Sequence, residues 1–164
     1  EELYNRYKNG EMLSADSFHF DKQKAFKTKG GHLVYGGGGI MPDVFVPLDS
    51  GLYTRSVTRL YLDGRFNNFV YQYYINHLPI FNSYKTPAQF AINYKNTDQA
   101  WKELVAYAAK DSINLQKVPA KERANIENWI KAYLARFKWR TQGFYEVSNK
   151  TDELVVKALE TIRK

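Results

Sequence analysis

The chain has 164 residues, 44% of them hydrophobic and 25% charged, a balance that supports one domain or a core with an appendage and excludes a disordered or membrane-embedded chain. It holds no cysteine, so a disulfide framework, a thiolate zinc site and a cysteine nucleophile are all excluded. The formal net charge is +7, but residues 1–53 carry seven acids against six bases, so the basic excess lies in the remainder, scattered singly rather than in a block.

In chain order, residues 1–53 are rich in Gly, Tyr and Phe and show no sustained helical period. "HLVY" (32–35) and "VFVPL" (44–48) are short β-type runs, the second closed by Pro47. Four glycines, Gly36 to Gly39, lie between them. From Thr54 onward the pattern is helical. Leu62, Phe66, Phe69, Val70, Tyr73 and His77 recur at three and four residues, which predicts a helix over 55–78 with a weak early turn at Gly64. Thr86, Pro87 and Gln89 form an N-cap, a first-turn proline and a capping-box partner, so a short helix runs to about Asn93. A third helix follows Asn96 or Thr97, with Trp101, Leu104, Val105 and Ala108 on one stripe.

After Pro119, Ile126, Trp129, Ile130, Tyr133, Leu134 and Phe137 mark a narrow apolar seam. Thr151 is the expected cap of a last helix, with Asp152 and Glu153 in its first turn, Arg163 and Lys164 at its end, and Leu154, Val155, Ala158, Leu159 and Ile162 as its core side. The fold class expected is α+β, mostly α: a short β element at about 30–48 followed by a bundle of about five helices. The two expected domains are 1–53 and 54–164.

The glycine run invites a phosphate-binding reading, which the spacing rejects. A P-loop needs GxxxxGK followed by Ser or Thr, and a dinucleotide turn needs GxGxxG opening a helix. No Lys or Arg follows Gly39, and Pro42 biases its neighbour toward extended backbone. Consecutive glycines suit a bulge, a positive-φ turn or a close strand passage instead. Asp43, after Pro42, is read as a turn-holding carboxylate. His19, His32 and His77 are far apart and form no HExxH or i, i+4 pair, and Asp16 and Asp21 lack the companions of a calcium loop. No metal or cofactor is expected.

The segment "GGHLVYGGGGIMPDVFVPLD" (30–49) resembles the stretch that follows the catalytic region in S41 carboxyl-terminal processing peptidases, especially the long envelope forms of Bacteroidetes. His32 stands where that family usually has arginine. "YNRYKNGEMLSADS" (4–17) resembles the insertion before that stretch, and "AYLARFKWRTQGFYEVSNKTDELVVKAL" (132–159) is similar to the end of the family's helical tail. The resemblance spans nearly the whole chain, and its most specific part is the element holding Gly36, Gly37, Gly38, Gly39, Pro42 and Asp43. It implies proteolysis by a serine nucleophile with a lysine base, both upstream of this element, and a periplasmic or cell-envelope location.

None of the serines here stands in the small-residue turn of that nucleophile with a lysine at the family's distance, and the PDZ-like region that gates substrate entry is missing too. The catalytic residues expected in this chain are therefore none, since a serine without its base is inert at neutral pH. The first residues, Glu1 and Glu2, with no basic and apolar leader behind them, fit a piece of a longer protein or a mature chain. The implied partners are the rest of the same peptidase chain and a polypeptide substrate, without nucleic acid, with a homo-oligomer through the helical region as a further expectation. Two alternatives stay open at this point: a basic helical module that binds protein, anionic surfaces or nucleic acid, and a free-standing periplasmic interaction module. The aromatics concentrated at 69–81 are expected in the core and at an interface.

Overall fold

The computed structural model describes residues 2–11, 13, 14, 17, 25–31, 33–35, 44–47 and 53–163. The chain is mostly helical with a short two-stranded antiparallel sheet near its start, and it divides into two compact units, Glu1–Gly51 and Leu52–Lys164.

In the first unit, helix α1 (Glu2–Lys8) precedes strands β1 (Ala25–Lys27) and β2 (Leu33–Tyr35). The strands pair antiparallel with Phe26 opposite Val34, and Gly31 turns the connection at a φ of 86° that only glycine adopts freely. Neither α1 nor β1 is anticipated by the sequence pattern. The β partner of Leu33–Tyr35 lies upstream of it, whereas residues 44–47, the body of the expected second strand, take no regular structure. A three-residue ladder with Phe26 and Leu33 exposed is too small to signal itself through hydrophobic alternation.

The second unit holds α2 (Arg55–Leu62), α3 (Arg65–Asn76), α4 (Leu78–Asn82), α5 (Pro87–Asn93), α6 (Thr97–Ala109), α7 (Ala120–Ser148) and α8 (Glu153–Ile162). The single helix expected over 55–78 is broken at Gly64, whose φ of 68° ends α2 and starts α3. Arg65 fixes the corner by binding both Asp63 and Asp111. At α5 the cap forms as expected on the threonine side, with the Gln89 amide N–H donating to Thr86 Oγ1 at 3.1 Å. The Gln89 side chain reaches one residue further back, accepting from the Lys85 amide at 2.9 Å. The end of α6 closes in a Schellman arrangement, with Ile113 N donating to Ala108 O at 3.1 Å and Ser112 in the left-handed region at φ 57°.

Helix α7 organises the core and packs against α3, α5 and α6. Its Ile126, Ile130 and Leu134 are buried with Leu60, Phe66, Val70, Phe90 and Leu104 of the other helices. Each such side chain contributes about 1.5–3 kcal/mol of burial before ordering costs. Trp129 and Phe137, placed in the seam by the sequence pattern, lie at its edges, 38% and 36% exposed, while the small Ala132 and Ala135 are buried instead.

The larger departure is a chain reversal inside α7. Trp139 and Arg140 leave helical geometry, Arg140 at φ 55°, ψ −142°, and residues 141–148 run back along 128–138. Phe144 then sits against Trp129 and Tyr133 at 5.8 and 5.6 Å between ring centroids, and Asn128 Nδ2 donates to Thr151 Oγ1 at 2.6 Å. Gly143 makes this approach feasible, because a Cβ there would fall well inside 3.0 Å of the Ala135 carbonyl. The returning segment buries Val147 and leaves α8 without a core side: no residue of α8 is buried. The cap of α8 is Asp152, whose carboxylate accepts from Val155 N at 3.1 Å, and Thr151 instead bonds back to Ser148 O.

Candidate functional site

The glycines Gly36 to Gly39, Pro42 and Asp43 lie outside the described residues, as do His19, His32, Asp16 and Asp21. Among the described residues, no group of three or more His, Asp or Glu side chains is placed to hold a metal ion. The polar chemistry of the helical unit gathers in three places.

The first is His77, where α3 meets α4. Its ring stacks on Tyr73 at 4.2 Å, its Nδ1 lies 2.9 Å from the Tyr73 carbonyl, and its Nε2 lies 3.6 Å from Glu103 Oε1 on α6. Glu103 Oε1 also accepts from Gln99 Nε2 at 2.9 Å. Burial raises the Tyr94 and Tyr73 phenols above their usual 10, and the Glu103 charge adds to both shifts, while the contact between the two hydroxyls raises Tyr94 further and works against the rise at Tyr73. The phenols therefore stay protonated at neutral pH. With Nδ1 engaged by backbone and Nε2 facing a carboxylate, His77 ties α3 to α6.

The second is a pair of lysines on α7, seven residues apart. Lys131 Nζ donates to Ala91 O and Tyr94 O at 2.7 and 3.1 Å, at the end of α5. Lys138 Nζ donates to Phe81 O and Tyr84 O at 2.5 and 2.6 Å, at the end of α4. Each ammonium thus donates to backbone carbonyls at or just beyond the end of a helix, Phe81 O also accepting from the Tyr84 amide at 3.2 Å, and complements the negative end of the helix dipole. Burial lowers the pKa of both lysines from the usual 10.5. Each Nζ donates to two backbone carbonyls, so these lysines serve as helix caps. Their seven-residue spacing puts both on one side of α7, but the carbonyls they reach lie 37–57 residues away and leave no local signal.

The third is Glu122, in the first turn of α7. Its carboxylate accepts from both the amide and the hydroxyl of Thr54, at 2.6 and 3.0 Å, and so caps α2 from 68 residues away. No local pattern predicts that bond.

Part of the basic charge is paired locally. Arg123 pairs with Asp98 and Glu127 at 2.6 Å each, Lys102 with Asp98 at 2.8 Å, and Arg65 with Asp63 and Asp111. An open recess of about 260 Å³ beside the end of α6, lined by Val105, Ala109, Ile113 and Leu115 among others, is below the size of ordinary ligand clefts.

What the helical unit offers outward is aromatic. Tyr71 and Ile75, one turn apart on α3, are 54% and 42% exposed, and Phe137 of α7 is 36% exposed. Tyr71 and Tyr74 each approach the Phe137 ring at 5.5 Å between centroids. This surface holds rings and an aliphatic chain with no carboxylate, imidazole or amine among them, the composition of a protein contact.

No curated protein and no solved structure matches the chain. A family model described as a family of unknown function, DUF8443, matches residues 56–140, from the second residue of α2 to the reversal in α7. That span is more than half of the 164 residues, and the chain belongs to the DUF8443 family of unknown function.

Proposed function

We propose that this chain is the C-terminal, non-catalytic region of an S41-type carboxyl-terminal processing serine peptidase of the cell envelope. In this reading the Gly-rich element buttresses the peptidase core, and the helical unit positions that core and the polypeptide it cleaves. The observation that carries the proposal is the run "VYGGGGIMPDVFVP" (34–47), whose residue order resembles the segment following the catalytic region in that family. The exposed Tyr71, Ile75 and Phe137 surface is in keeping with a helical unit that docks on the rest of its own chain.

The test compares the 164-residue chain with the longer reading frame that encodes it. The 164-residue chain is expected to leave casein intact. The longer chain is expected to cleave it, to carry a serine in a small-residue turn and a lysine further on, and to lose activity when that serine becomes alanine. An upstream sequence without such a pair, or serine-dependent hydrolysis by the 164 residues alone, overturns the proposal.

A further inference from the structure

The reversal inside α7 is made by two residues, Trp139 and Arg140, and neither is among the glycine, proline, asparagine, aspartate and serine that tight turns favour. Arg140 stands at φ 55°, ψ −142°, backbone that glycine enters freely and a residue with a side chain adopts only when its surroundings impose it. Residues 135–145 contain no proline, and their one glycine, Gly143, is already helical after the turn. The local sequence therefore favours a straight α7, and the hairpin is held by its contacts.

Those contacts are arranged symmetrically about the turn. Asn128 and Thr151 stand eleven residues before and twelve after Trp139, Ala135 and Gly143 four before and four after, Tyr133 and Phe144 six before and five after. At about 100° per residue, a helix continued through 139 and 140 carries Trp129, Tyr133, Arg136, Gly143, Phe144 and Val147 within an arc of about 100°, so the two inner surfaces of the hairpin become one stripe. Two such helices laid antiparallel, with a two-fold axis beside residue 139, restore the pairs of the hairpin between chains.

We propose that this turn is a hinge for exchange: α7 straightens, and the segment from Thr141 onward docks on residues 128–138 of a second copy of this chain. The second copy is specified by the fold itself, because the surface it offers is the one that each returning segment already covers. Exchange releases Arg140 from its strained conformation in both chains while keeping the Gly143 and Phe144 contacts. Charge opposes it, since residues 135–145 hold three cations and no acid, and Arg140 of one copy approaches Arg140 of the other at the axis. Salt screens that repulsion, so exchange is favoured by ionic strength as well as by concentration.

The test starts from denaturant, because exchange requires α7 to open. Refolded at rising concentration and ionic strength, the 164-residue chain is expected to give, beside a 19.1 kDa monomer, a species of twice that mass that persists on dilution. The chain has no cysteine of its own, so Asn128→Cys combined with Thr151→Cys reports the connection. On oxidation the monomer closes this pair within one chain, whereas the exchanged dimer closes it between chains and runs at double mass on a denaturing gel. Arg140→Gly, at ease at positive φ and poor in a helix, is expected to lower the dimer share at least about tenfold. Arg140→Ala, a better helix former without the charge, is expected to raise it. A dimer whose cysteine pair closes within one chain is an association of intact hairpins and overturns the proposal. A chain that stays monomeric throughout, or the two Arg140 variants in the reverse order, overturns it as well.

Discussion

Replacing Gly143 by alanine sets two effects of opposite sign against each other. In an ordinary helix interior the change stabilises by about 1 kcal/mol, because alanine loses less conformational entropy. Here the new Cβ would lie well inside 3.0 Å of the Ala135 carbonyl oxygen and 2.9 Å from both the Ala135 carbonyl carbon and Trp139 Cβ. None of these is the movable end of a flexible side chain, so residues 141–148 must lift away from 128–138. Overpacking of this kind costs about 1–3 kcal/mol, and the lift also loosens Phe144 from Trp129 and Tyr133. The net expectation is a loss of about 1–2 kcal/mol, or a melting temperature lower by about 2–8 °C for a chain of this size. Thermal unfolding followed by circular dichroism at the helix band reads this directly. A Gly143→Ala variant that melts with or above the parent would refute the close antiparallel return of α7.

Four further outcomes are expected. Lys138→Met removes the side-chain donor to Phe81 O and Tyr84 O; Phe81 O keeps the Tyr84 amide, and the bonds lost are expected to cost about 1–3 kcal/mol, measurable as a shift in the urea midpoint, whereas an unchanged midpoint would show that the cap contributes nothing. Ser112→Gly relieves a serine held at φ 57° and should stabilise by up to about 1 kcal/mol in the same assay, whereas destabilisation would contradict the left-handed cap. Tyr61 has a buried hydroxyl without a partner among the described residues, and burial raises its pKa, so Tyr61→Phe should match or exceed the parent in melting temperature; a drop would reveal a bonded hydroxyl. The bonds from Lys102 and Arg123 hold the Asp98 carboxyl below its usual 3.8. Its contribution is complete above that pH and is lost as pH falls through the lower folded value, so Asp98→Asn should flatten the fall of stability with acid in that range, and an identical acid profile would count against the pairing.

The residue pattern alone determined the helical nature of residues 54–163, the start of α5 and the apolar face of α8, because caps and hydrophobic spacing are written within a few neighbouring residues. Thr86, Pro87 and Gln89 announce α5 by local hydrogen bonding and a fixed φ. Ile126, Ile130 and Leu134 announce the buried side of α7 by period. Of the candidate site, the aromatic concentration at 69–81 was legible, and the exposed ring of Tyr71 and the half-buried ring of Tyr74 come from it.

Only the tertiary structure decided where the chain turns and what each face meets. The reversal at Trp139 and Arg140 interrupts no apolar pattern, and its one trace, a glycine within a helix, acquires meaning only beside Ala135. Glu122 caps a helix 68 residues away, and Lys131 and Lys138 cap helices that α7 meets only in space. The stripe of α8 shows the same division from the other side: amphipathic spacing specifies that a face seeks cover, while packing determines whether the fold supplies it. Because α7 folds back on itself, this face was left open.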